Sequence, residues 1–140
     1  MPARKATYVR RTLIAVLGSS LLVACATKTA ATREDLVRQR ALEYWTAYQA
    51  GHFEKAYAYL SPASRAVVPY ERYRARIAGS VDWKGAVVQS VTCDVSQKCI
   101  VKVKLSYEAA IGRRRLGTIE RYMDETWTLD DGQWWLVYVL

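Results

Sequence analysis

The feature that most constrains this chain is a change of hydrophobic period part-way along it. From Thr32 to about Ile77 apolar residues recur at three- and four-residue steps, and after Trp83 they recur at every second position. The first spacing places side chains on one face of a helix, the second on one face of a strand. Val37, Ala41, Tyr44, Trp45 and Tyr48 form the first helical stripe, with Thr32 as its cap, Asp35 three residues on, and Gly51 at its end. Phe53, Ala56, Tyr57 and Leu60 repeat the pattern in a shorter helix. Ser61-Pro62 starts another, and Pro69 opens a further segment, Tyr70 to Ile77, closed by Gly79. Its Arg72 and Arg76 are read as a solvated face.

In the second half, Val87, Val91 and Cys93 share one parity. Cys99, Val101, Val103, Leu105 and Tyr107 share another run, with Lys102, Lys104 and Ser106 on its opposite face. Two more strands are expected, around Ile119 to Leu129 and from Trp134 to Leu140, joined by the turn Asp130-Asp131-Gly132. Helices first and an antiparallel meander of about four strands afterwards is an α+β arrangement, with N-terminal helices packed on the sheet. Half the residues are apolar (51%), and five Trp and ten Tyr suit an aromatic interior or a lined cavity.

The net charge of +8 belongs largely to the amino terminus. Arg4, Lys5, Arg10 and Arg11 precede an apolar run, Thr12 to Leu22. Without those four the chain has 17 basic against 13 acidic residues, a net +4. Basic, then apolar, then small residues is the order of a secretory signal, and the run is shorter than the roughly 20 residues a membrane helix needs. Its end, Leu22-Val23-Ala24-Cys25, resembles the lipobox of bacterial lipoproteins. That resemblance implies a signal peptide over 1–24, a Cys25 carrying diacylglyceryl and palmitate-type chains, a tether over 25–32 and a single domain over 33–140. Ala26 after the cysteine implies, by the same likeness, the outer membrane facing the periplasm. Nucleic acid is not an expected partner in that compartment.

The segment Tyr44-Trp45-Thr46-Ala47-Tyr48 through Gly51-His52-Phe53 to Leu60-Ser61-Pro62 resembles the opening of the nuclear transport factor 2-like, or ketosteroid-isomerase-like, superfamily. The resemblance implies a curved antiparallel sheet wrapping the first helix in a cone-shaped, cystatin-like fold with a pocket, and Tyr44, Trp45, Tyr48 and Tyr57 are its candidate lining for a small apolar ligand. Isomerase-like members use a first-helix Tyr, matched by Tyr44, and a late-strand acid, near Asp124. Their base falls around Val67 to Pro69, where there is no carboxylate, and Asp82 lies too far along the chain. Met123, Trp127 and Leu129 read as the inward phase, which turns Asp124 outward. Proton transfer needs a base within reach of the substrate, so no catalytic residue is assigned.

With Cys25 given to lipid, Cys93 and Cys99 remain as a pair in an oxidising compartment. Pairing them across a hairpin sets Val91 opposite Val101 and Val87 opposite Leu105, so a disulfide and the strand parity agree. His52 reads as a turn residue. No metal-ligand cluster, cofactor motif or glycine-rich phosphate loop is present in the sequence. Arg113, Arg114 and Arg115, between Gly112 and Gly117, read as a hairpin tip and a candidate anion contact. The closing strand is apolar on both sides, making Trp135, Val137 and Val139 a candidate interface for an envelope protein, a second copy of the chain or the membrane surface.

The function expected from these residues is that of a membrane-anchored envelope lipoprotein serving as a non-catalytic binding or assembly module. A small enzyme on the isomerase-like fold is the alternative. Intact-mass analysis of protein purified from bacterial cells is expected to show acyl mass on a chain beginning at Cys25; an unmodified product would reject the anchor.

Overall fold

The computed structural model describes residues 30–77, 82–111 and 114–138. Among these residues four helices, α1 (Arg33–Gln49), α2 (Phe53–Tyr57), α3 (Pro62–Val67) and α4 (Tyr70–Ile77), precede four strands, β1 (Asp82–Cys93), β2 (Lys98–Ile111), β3 (Arg114–Asp130) and β4 (Gln133–Val137). The strands form one open antiparallel sheet in the order β1-β2-β3-β4. The helices pack on one face of it, an α+β arrangement.

Helix boundaries follow local chemistry. Thr32 Oγ1 accepts the Asp35 backbone N–H at 3.1 Å while the Asp35 carboxylate accepts from the Thr32 backbone N–H, a reciprocal box that satisfies otherwise unpaired donors. At the other end Gly51 takes a left-handed φ of 74°. There its N–H donates to Tyr48 O, and His52 N–H donates to Ala47 O, the paired bonds of a Schellman stop. Ser61 caps α3 through the Ser64 N–H, with Pro62 in the first turn.

The core lies between α1 and the sheet. Val37, Ala41, Tyr44 and Trp45 meet the inward row of β2, where Cys99, Val101 and Val103 are fully buried. Lys102 and Lys104 on the outer row bridge to Asp124 and Glu120 of β3. Cys93 and Cys99 face each other in the β1–β2 register and are joined as a disulfide. The intervening turn is held by Asp94 Oδ1, which accepts from the Ser96 and Lys98 backbone N–H groups. Asp131 and Gly132 both adopt positive φ, as a tight β3–β4 hairpin requires.

One expected pairing is corrected. Val91 lies opposite Val101, but Val87 lies opposite Lys104, and Ala86 takes the place opposite Leu105. A bulge at Gln89 inserts one residue between Val88 and Ser90, so parity flips along β1. Val88, opposite Val103, is buried, while Val87 is half exposed.

β4 is an edge strand, and the helical layer closes it. Ser61 N–H donates to Leu136 O, Leu136 N–H donates to Tyr59 O, and Arg40 Nε donates to Trp134 O at 2.6 Å. An edge whose backbone groups are paired in this way offers little to a second sheet.

The bulge makes a direct prediction. Val88→Ala is expected to cost about 2 kcal/mol in denaturant unfolding and Val87→Ala no more than about 0.5. Equal costs, or the reverse order, would restore the unbulged register.

Candidate functional site

A cavity of about 550 Å³ opens on the helix-covered side of the sheet. Its walls come from residues widely separated in the chain. Tyr44, Trp45 and Tyr48 project from one face of α1, Trp83 comes from the start of β1, and Leu105 and Tyr107 come from alternate positions of β2. Arg121, Met123 and Glu125 follow the same inward parity on β3. The rings form a connected set: Trp45 and Tyr48 centroids are 5.1 Å apart, Tyr48 and Trp83 5.6 Å, and Trp83 and Tyr107 5.7 Å. Arg121 and Met123 are exposed and mark the mouth, whereas Glu125 is 5% exposed and marks the floor.

Glu125 is the residue that sequence reasoning passed over. Its Oε1 accepts the Trp45 indole N–H at 2.8 Å, and its Oε2 accepts the Trp127 indole N–H at 3.1 Å. Burial raises its pKa from the ordinary 4.5 to about 7, against the opposing pull of the two indole hydrogen bonds. The signal was available: positions 123, 125, 127 and 129 share parity, so an inward Met123, Trp127 and Leu129 require an inward Glu125. Asp124 faces outward, with its carboxylate 2.8 Å from Lys102 Nζ.

Tyr44 is buried, with its hydroxyl 3.4 Å from that of Tyr73. Desolvation holds its pKa well above the usual phenol value, and Tyr48 is pushed up to about 12 for the same reason. Both are neutral hydroxyls at ordinary pH.

Tyr44, Trp45 and Tyr48 therefore come together, while Tyr57 goes elsewhere. Its hydroxyl donates to Val68 O at 2.8 Å, and its ring packs on Tyr70 and Tyr73, so it ties α2 to α4 rather than lining the cavity. The reason is spacing: α2 turns away after the Gly51 stop, and its inward face meets the helical layer instead of the sheet.

Among the other singled-out residues, Trp135 is half-buried. Arg40 and Arg65 lie over its ring at 5.6 and 5.3 Å, and its indole N–H donates to Asp130 O. Val137 is half-buried and lines the cavity, and Val139 lies outside the described residues. Arg114 and Arg115 are exposed at the far end of the β2–β3 hairpin, Arg115 lying 3.8 Å from Glu108, while Arg113 lies outside the described residues. Such an exposed pair contributes little to stability. His52 is exposed ahead of α2. Cys25 and the whole leader lie outside the described residues. No group of three metal-ligating side chains occurs among the described residues.

No protein-family model matches the sequence, and no curated protein matches it. Among solved structures the chain is similar to a SEC-C motif containing protein from Rhodopseudomonas palustris. The identity is 18%, 80% of each chain is covered, and the TM-score is 0.54. The likeness is one of fold. It corrects the resemblance read from the sequence: the similar solved structure is a SEC-C motif containing protein, and neither a family model nor a curated protein supports a lipoprotein carrying a nuclear transport factor 2-like domain. The aromatic spacing from Tyr44 to Leu60 that suggested that superfamily is a packing pattern in this fold, with Tyr44 and Leu60 buried in the core, and it does not single out a family. The carry-over of Tyr44 and Asp124 as isomerase-like residues lapses with it.

The Glu125 environment has a consequence for stability. Between pH 4.5 and about 7 the folded chain keeps a proton that the unfolded chain releases, so stability falls as pH rises through that window and levels off above it. The full loss is roughly 3 kcal/mol. Urea unfolding at pH 5 and pH 8 is expected to show this loss in the wild type and not in Glu125→Gln; equal pH dependence in the two proteins would refute it.

Proposed function

We propose that this chain is a lipid-anchored envelope module that binds a small, largely apolar ligand in the aromatic cavity without converting it. The anchor rests on Leu22-Val23-Ala24-Cys25 behind a basic, apolar leader, and the outer membrane on Ala26. The observation that carries the binding reading is the cavity itself, about 550 Å³ and walled by Tyr44, Trp45, Tyr48, Trp83 and Tyr107. Its size falls within the range of small-molecule sites, which are mostly apolar with a few placed polar groups.

Binding is favoured over turnover by what surrounds the inward carboxylate. Both Glu125 oxygens accept indole N–H bonds. General acid–base chemistry needs such a group aimed at a substrate proton and a second group for the reaction's other half. The rings beside it are indoles, which do not titrate, and phenols, of which Tyr44 and Tyr48 are held neutral by burial. The outer sheet face is a weaker surface for a partner, because Arg40 and Arg65 already cover Trp135.

Calorimetric titration of the full chain with naphthol, a neutral aromatic probe, tests the reading. Saturable binding of one probe per chain is expected, weakened at least about tenfold by Trp83→Ala, which removes a wall. Absence of saturable binding would overturn it, and sustained conversion of a small carbonyl compound by the wild-type chain would assign an enzyme instead.

A further inference from the structure

The binding reading leaves open what chemistry the cavity selects, and Glu125 narrows it. A carboxylate offers about four acceptor sites, of which the Trp45 and Trp127 indoles occupy two. Neither donor carries charge. No ion pair involving Glu125 forms among the described residues, although Lys84, Lys102, Lys104 and Arg115 all have acidic partners. The cation on Glu125's own row, Arg121, is four residues away along an extended strand, roughly 13 Å, and stands at the exposed mouth. Arg121 forms no ion pair with Glu125, and burial and the two indole bonds, not a neighbouring charge, set the pKa of that carboxyl.

The cavity that this carboxylate floors is walled by Tyr44, Trp45, Tyr48, Trp83 and Tyr107, with Trp45 bonded to the carboxylate itself. Aromatic faces carry negative potential and attract organic cations, most strongly when water is excluded. An anion would meet both those faces and the Glu125 charge unfavourably. A neutral apolar ligand would leave the carboxylate uncompensated.

Resting on the binding reading, we infer that the cavity is selective for a small organic ammonium, its cationic head against Glu125 and the aromatic rings and its apolar body toward the mouth.

The pairing is sensitive to pH. Glu125 ionises at about 7, so a cationic head binds more tightly as pH rises through that value, and its presence favours ionisation in turn. The other titratable or charged groups on the walls are Tyr44 and Tyr48 from α1, Tyr107 from β2, Arg121 and Asp124 from β3, and Tyr138 beyond β4. Tyr44 and Tyr48 stay neutral in this range, and the Asp124 carboxylate is turned to Lys102.

Three related probes separate the terms: choline, its neutral isostere 3,3-dimethylbutanol, and 3,3-dimethylbutyrate, which keeps the tert-butyl head and carries a carboxylate at its other end. Titrated into the full chain at pH 8, choline is expected to bind at least about tenfold tighter than dimethylbutanol, with dimethylbutyrate weakest. The choline preference is expected to shrink to about threefold or less at pH 5.5 in the wild type, and at pH 8 in Glu125→Gln. The wild-type pH profile needs no variant to fold. Equal binding of choline and dimethylbutanol, a preference that survives either change, or tighter binding of dimethylbutyrate overturns the inference. If naphthol binds and choline does not, the inference falls and the binding reading stands; if neither binds, both fall.

Discussion

The site depends on a mismatch of lengths between the two layers. A helix rises about 1.5 Å per residue and a strand about 3.3 Å, so the 17 residues of α1 span roughly 26 Å while the 17 residues of β3 span roughly 56 Å. One helix of that length cannot cover strands of that length. Where α1 lies over the sheet, Val101 and Val103 are fully buried. Along β2 the inward row passes from buried Val103 and Leu105 to half-buried Tyr107, while on β3 Met123 and Arg121, opposite Val103 and Leu105, are exposed, and the space over them is the cavity. Trp83 and Tyr48 fill part of the step between covered and uncovered sheet, which is why aromatic rather than aliphatic residues gather there.

At the inner limit of that step sits the Trp45–Glu125 hydrogen bond, joining α1 to β3 across 80 residues of chain. It fixes the helix against the sheet and also places a carboxylate where water is largely excluded. A buried ionisable group disfavours its charged form unless a partner supports it, and indole donors support it only in part. The same contact that locates the helix therefore tunes the chemistry of the cavity floor. Substitution at Trp45 would disturb both, so structure and binding at this point are not separable by changing Trp45 alone.

The opposite flank is organised by closure rather than openness. The Tyr59–Ser61 connection pairs with Leu136, and Tyr138 N–H donates to Ser64 Oγ, so the free edge of β4 is occupied by the helical layer. Arg40 reaches both the Trp134 carbonyl and the Trp135 ring. A strand that reads as apolar on both faces is thus accommodated within one chain: Trp134 and Leu136 face the core, and Trp135 lies under arginine side chains. Long cationic side chains cover apolar surface while keeping their charge in solvent, as Arg40 and Arg65 do over the Trp135 ring.

Period and capping, being local, were legible in the sequence: the helical stripe of α1, the Thr32 box, the Gly51 stop, the Ser61-Pro62 start, the alternation in β2 and the opposition of Cys93 and Cys99 all depend on residues near one another in the chain. Three of the four expected pocket residues were legible for the same reason, since Tyr44, Trp45 and Tyr48 share a helix face. What lay beyond reach depended on neighbours distant in sequence. The Gln89 bulge exchanges the places of Val87 and Val88, and no pattern within β1 reveals it because only the register against β2 does. Tyr57 has the residue type of a pocket wall, yet α4 provides its partners. Glu125 faces inward by simple parity, but its raised pKa arises from burial beneath α1, and parity says nothing about depth. The chain's own alternation decides which way a side chain points; only the packing of one layer on another decides whether it meets water, a ring or a charge.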